Sequence, residues 1–205
     1  MNKTDLFPPL VKKADQFLDV KISDDRKKIL EPLIEYIQSH KHQGKPIHLN
    51  FICTHNSRRS QLSQVWAQVA AAYFGIEVFC YSGGVEVTSF NERAVESLKR
   101  TGFKVENKGK ENPRYQVFYS DNAQPIVAFS KTFDDKYNAV SEFAAVITCS
   151  NADENCPYIP GATARISVRY EDPKAFDGTS EEAIKYDERS HQIAAEMFYL
   201  FSKII

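Results

Sequence analysis

The stretch "LNFICTHNSRRSQLSQVWAQ", residues 49–68, sets a cysteine and an arginine around five residues, with a serine directly after. Leu49, Phe51 and Cys53 alternate with Asn50 and Ile52, as in a mostly buried strand. From Leu62 onward, Val65, Trp66, Val69 and Tyr73 recur at helical spacing. Cys53 thus ends a strand, and Arg59 and Ser60 open a helix. A loop of this length can turn its backbone N–H groups inward as an anion nest, and a helix N-terminus adds partial positive charge. Arg59 can close such a nest with a two-bond grip on a tetrahedral oxyanion. The same field favours the thiolate of Cys53, to which Ser60 could donate a hydrogen bond. The reading is a nucleophile and an oxyanion brought together. The loop lacks the glycine-lysine pattern of a nucleotide-binding P-loop, so ATP and GTP are not expected.

The elements that must position these residues follow from the periodicity. Strands are expected at 47–53, 76–82 and 103–106, with helices at 60–74 and 91–101. "RYQVFYS" and "PIVAFSK", separated by "DNAQ", read as a hairpin, and "FAAVITCS" as a buried strand ending in Cys149. A long amphipathic helix follows Ser180. Strands alternating with helices predict an α/β fold with a mainly parallel sheet covered on both faces. Ligands in such sheets bind beyond the strands' carboxyl ends, where Cys53 and Cys149 both fall. Residues 1–46 are expected to form a helical extension, opened at Pro8 or Pro9 and capped again at Ser23, ahead of an α/β domain over 47–205. The hairpin, about 112–132, reads as an insert; its aromatics (Tyr115, Phe118, Tyr119, Phe129) suit added strands or a docking edge for a partner or a second subunit.

The chain has 205 residues, 42% of them hydrophobic, and a formal net charge of −1. That balance gives no electrostatic case for nucleic acid or a membrane surface. The charged N-terminus does not resemble a signal peptide, and no apolar run is long enough to span a bilayer, so a cytoplasmic location is expected. In a reducing compartment Cys53, Cys80, Cys149 and Cys156 are expected as free thiols, and no C-x2-C pair suggests a zinc site. Cys80, in "IEVFCYS", reads as a core residue.

"CTHNSRRS" resembles the loop of the low-molecular-weight tyrosine phosphatase superfamily and of its sister group, the thioredoxin-coupled arsenate reductases. The likeness extends to "YSGGVEVTSFNERAVESLKRTGF", "VITCSNADENCPYIP" and "YEDPKAF". It covers residues 47–106 and 143–205 and implies a parallel four-stranded sheet flanked by helices. It also implies that Thr54, His55, Asn56, Ser57, Arg58 and Arg59 bind the oxyanion. Asn56 would hold the loop's shape and Ser82 would bond to the loop. His55 stands where the family usually has glycine, and a positive φ there would strain it. Arg58 replaces a common cysteine, and an added cation should strengthen anion attraction. Asp172, before Pro173, would be the general acid. Lys174-Ala175 replaces the phosphatases' usual tyrosine pair, which leans toward a small inorganic substrate. Gln64 replaces a glutamate that some reductases place near potassium, and no metal or other bound cofactor is expected.

Cys149 and Cys156, with the proline after the second, resemble the reductases' redox segment. The resemblance implies that Cys149 attacks the Cys53 sulfur and expels arsenite, that Cys156 then attacks Cys149, and that thioredoxin reduces the resulting disulfide. "SNADEN", polar and turn-prone, would supply the mobility. The alternatives are a phosphomonoesterase acting through a phosphocysteine, and a non-catalytic oxyanion- or partner-binding module.

Overall fold

The computed structural model describes residues 6–155 and 158–205. Cys156 lies outside the described residues. The chain begins with two helices, α1 (Pro8–Leu18) and α2 (Asp24–His42). Pro8 opens α1, and the Ser23 side chain caps α2 by accepting the Arg26 N–H at 3.3 Å. Strand β1 (His48–Cys53) leads through the loop into α3 (Arg59–Tyr73), followed by β2 (Phe79–Gly84) and α4 (Glu92–Thr101).

β6 (Phe143–Ile147) and β7 (Ala162–Ser167) complete a parallel sheet of order β2-β1-β6-β7. The fold is therefore α/β, with helices covering the sheet. Both faces of β1 and β6 are buried. Leu49, Phe51, Ala144 and Val146 join the large core under the long helices, while Ile52, Cys53, Ala145, Ile147 and Cys149 form a smaller cluster opposite. This two-sided burial explains the unbroken apolar runs in the sequence. α6 (Glu182–Ser202) closes the large core and packs against α1, α2, α3 and α4.

Three elements differ from the sequence expectation. The strand after α4, β3 (Lys104–Lys108), leaves the parallel sheet and pairs antiparallel with β4 (Arg114–Phe118), which pairs with β5 (Ile126–Ala128). The hairpin is thus two strands of a three-stranded sheet. β7 supplies the fourth parallel strand, although Thr163 and Arg165 give it little apolar signal. "SNADEN" forms a short helix, α5 (Ser150–Asn155), rather than a loose turn. Asp153 anchors it, through Arg165 at 2.8 Å and by accepting from the Ser167 hydroxyl at 2.6 Å. Among the described residues no helix is long and apolar enough to cross a membrane.

Among the described residues, the outer edge of β2 has no full strand beside it, only a single parallel bridge from Gly84 to Thr132. Instead Gln68 donates to the Val78 carbonyl and accepts from the Cys80 N–H, while Gln64 donates to the Cys80 carbonyl. Two glutamines one turn apart on α3 therefore occupy backbone groups that would otherwise be open to pairing.

Candidate active site

Cys53 ends β1 and Arg59 begins α3, so residues 54–58 span from strand to helix as the sequence predicts. Cys53 is buried, and its Sγ lies 3.0 Å from the Ser60 hydroxyl. Among the described residues, the N–H groups of Thr54 through Arg59 find no hydrogen-bond acceptor. A turn that leaves successive N–H groups unused is chemically an anion cradle. Arg59 adds to it: its Nε is buried and has no partner among the described residues. The rest of the guanidinium donates to the Tyr170 carbonyl at 3.1 Å and to Asp172 Oδ2 at 2.8 Å. The Asp172 carboxylate therefore sits against the arginine that opens the helix. Its other oxygen accepts the Lys174 N–H, capping the 3-10 turn Pro173–Phe176.

Asn56 holds the loop. It adopts a left-handed backbone with φ 46°, a conformation asparagine tolerates better than most residues. Its side-chain amide donates to Ser60 Oγ at 2.9 Å, and its Oδ1 accepts from the Lys131 N–H at 3.0 Å and the Gln61 amide at 3.2 Å. The hydroxyl that meets Cys53 is thereby fixed by the residue at the loop's turning point. The Ser57 hydroxyl donates to the Ser89 carbonyl, and the Thr54 carbonyl accepts from Val85 and Glu86 N–H groups. Gly84 is required by this approach: a Cβ there would stand 2.7 Å from Asn56 N and 2.8 Å from Thr54 O.

Three expectations change. His55 is not left-handed, since among the loop's described residues only Asn56 has positive φ; the strain expected at His55 does not arise. Its imidazole reaches out to Glu86 at 3.3 Å, while its carbonyl accepts from Ser130 and Thr88. The Arg58 guanidinium is committed elsewhere, donating to the Tyr186 hydroxyl at 2.7 Å and to Asp177 at 3.4 Å. It braces the loop against α6 rather than offering a free cation. Ser82 donates to Gln64 Oε1 at 2.6 Å, so its side chain serves β2's edge and not the loop. Gln64, with both ends of its amide engaged there, has a structural use.

Cys149 is fully buried just beyond β6. Its Sγ accepts the Ala152 N–H at 3.4 Å, at the start of α5, and lies 3.5 Å from the Thr54 hydroxyl. That hydroxyl also donates to the Asn151 side chain at 3.1 Å. Thr54, the residue after Cys53, thus bridges the loop to the segment bearing the second thiol.

The model of the low molecular weight phosphotyrosine protein phosphatase family matches residues 48–154, which hold the loop and Cys149. The chain belongs to this family. Curated relatives include an arsenate reductase 2 of Staphylococcus haemolyticus, 31% identical over 60% of this chain and 76% of the relative. An arsenate reductase of Bacillus subtilis is 28% identical over 68% of this chain and 83% of its own length. A solved low molecular weight phosphotyrosine phosphatase from Vibrio cholerae shares the fold at a TM-score of 0.52 and 11% identity, over 76% of this chain and 94% of that one.

The family match stops at residue 154, yet the site does not. Tyr170, Asp172, Asp177 and Tyr186 all lie beyond it and all touch Arg58 or Arg59. Sequence reasoning finds Asp172 through its proline, but it misses Gln61, Gly84, Lys131, Asp177 and Tyr186. Lys131 reaches the loop from 75 residues away through its own backbone, where side-chain type gives no signal.

Proposed function

We propose that this phosphatase-family chain is an arsenate reductase with Cys53 as nucleophile. The observation that carries the reading is the Cys149 thiol held against Thr54, beside a cysteine–arginine oxyanion loop. Hydrolysis of a phosphate ester has no use for a second sulfur there, whereas reduction of arsenate requires two electrons from thiols. Arsenate enters the cradle of N–H groups from residues 54–59, with Arg59 as the charged clamp. The Cys53 thiolate forms a sulfur–arsenic bond as an oxygen leaves as water, protonated with the help of Asp172. Cys149 then attacks the Cys53 sulfur. A Cys53–Cys149 disulfide forms, the sulfur–arsenic bond breaks, and its electron pair goes to arsenic, which leaves as arsenite. Cys156 attacks Cys149 to free Cys53, and an external dithiol of the thioredoxin type reduces the second disulfide. The relatives named arsenate reductase support the substrate.

In a coupled assay with thioredoxin, its reductase and NADPH, adding arsenate is expected to drive NADPH consumption. Cys53→Ser, Cys149→Ser and Cys156→Ser each stop turnover. Normal turnover by both Cys149→Ser and Cys156→Ser sinks the relay.

A second reading, a phosphomonoesterase, is favoured by the Asp172 carboxylate at the loop's arginine. It predicts aryl phosphate hydrolysis that needs Cys53 and falls about 100-fold or more in Asp172→Asn, while ignoring Cys149 and Cys156.

A further inference from the structure

We propose that the cavity along the outer edge of β2 is a second binding site, for a small organic carboxylate with an aromatic body. The cavity measures about 710 Å³ and includes Phe79, Tyr81, Tyr119, Phe129, Lys131 and Tyr137 in its lining; no residue of the 53–60 loop contributes. Its size is that of a pocket for a drug-sized molecule. Lys131 is only 4% exposed. Its Nζ lies 4.7 Å from the centre of the Phe129 ring and has no hydrogen-bond or ion-pair partner among the described residues. An ammonium this buried, with Asp135 acting on it only through space, is costly, and a carboxylate in the cavity would satisfy it.

The chemistry of the walls narrows the occupant. One ammonium suits one carboxylate, and the surrounding aromatic faces suit a flat apolar body. An inorganic tetrahedral anion would trade its water largely for ring faces, a poor exchange for a compact charge. A peptide strand laid along β2 would find the Val78 and Cys80 backbone groups already bonded to Gln64 and Gln68. The remaining charges near the site are mixed. Asp135 acts on Lys131 through space and Glu77 lines the cavity, while Arg114 lies over Phe129 and Tyr137, and Lys136 over Tyr137.

Burial pulls Lys131 down to about 8, so the charge that attracts a carboxylate is lost as pH rises through that value. Tyr81, Tyr119 and Cys80 face the same space and are all pushed upward by burial, so none of them turns anionic first.

The test is calorimetric and NMR titration of the full chain with 2-naphthoate and with its neutral counterpart 2-naphthamide, under saturating phosphate to fill the loop. Naphthoate is expected to bind at a single site about tenfold or more tighter than the amide near pH 7, and to shift the resonances of Tyr81, Val127 and Lys131. Cys53→Ser leaves this unchanged, and the preference fades by about pH 9.5 as Lys131 discharges. Lys131→Met brings naphthoate down to the level of the amide, and Lys131→Arg keeps the preference. If Lys131→Met fails to fold, Val127→Glu, at an exposed lining position, reads out the same site by weakening naphthoate and sparing the amide. Equal binding of acid and amide, no binding of either, or displacement of naphthoate by phosphate overturns the proposal. Because phosphate occupies the loop, failure here is separate from failure of the reductase reading.

Discussion

Asn56 carries more of the active loop than its size suggests. One amide turns the backbone left-handed, fixes the Ser60 hydroxyl beside Cys53, and accepts from Lys131 and Gln61. Removing it leaves the buried Lys131 N–H unmatched, at about 1–3 kcal/mol, while the Gln61 amide keeps the Asn56 carbonyl. Asn56→Ala is expected to lower kcat/KM for arsenate, or for an aryl phosphate, by about 30-fold or more, measured by steady-state kinetics. Wild-type rates in this variant would mean the loop holds itself. Lys131 has a separate signature in stability. Its folded value of about 8 lies below the ordinary 10.5, so the folded state binds fewer protons than the unfolded state between those values. Stability therefore rises with pH across that window, and below it the buried charge costs about 3 kcal/mol. Lys131→Met is expected to raise stability near neutrality and to lose most of that gain by about pH 10.5, measured by urea unfolding at both values. Cys53, Arg59 and Ser60 are legible in the sequence because a strand pattern stops and a helix pattern starts around them, and Asn56 only through the likeness of "CTHNSRRS" to the phosphatase loop. Arg58 is misread because its partners, Tyr186 and Asp177, lie more than 100 residues on, and a guanidinium in a string carries no mark of what it will face.

At the scale of elements, α2 supports the site from a distance. Arg26 forks onto Glu196 of α6 at 3.0 and 2.5 Å and also donates to the Arg169 carbonyl at 3.1 Å. Its guanidinium lies over the Tyr170 ring, and the Tyr170 carbonyl receives Arg59. The segment that delivers Asp172 is thus pinned between an N-terminal helix and the last one. Glu196 is 2% exposed, so Arg26→Met strands a carboxylate in the core and is expected to cost roughly 3 kcal/mol, read as a lower urea midpoint. A loss under about 0.5 kcal/mol, the range of an ordinary surface change, would remove α2 from this role. Helices were readable here from their faces and from caps such as Ser23. β7 was not, because an edge strand alternating Thr163 and Arg165 outward lacks the apolar run that marked β1 and β6. β3's departure to a second sheet is a matter of pairing partners, which periodicity does not encode.

The whole molecule is knit by one large core that does not respect the division suggested by the sequence. Leu10, Phe17, Leu30, Leu33 and Ile37 from the first two helices share it with Trp66, Phe103 and Phe198. Phe17 meets Trp66 edge-on at 5.3 Å, and the Tyr73 hydroxyl donates to Asp15 at 3.0 Å. Burying each large apolar side chain contributes about 1.5–3 kcal/mol, so losing five approaches or exceeds the total stability of a typical domain. A fragment beginning at Ile47 is therefore expected to lack a cooperative thermal transition by circular dichroism, although it keeps every residue proposed for catalysis. Cooperative melting of that fragment would show the extension to be dispensable. The packing of α1 and α2 on α6 also sets an order in time. The ribosome makes these two helices before the helix they pack against, so their apolar faces wait, uncovered, while the residues between His42 and Glu182 are made. Until α6 emerges, those faces are open to a holding chaperone.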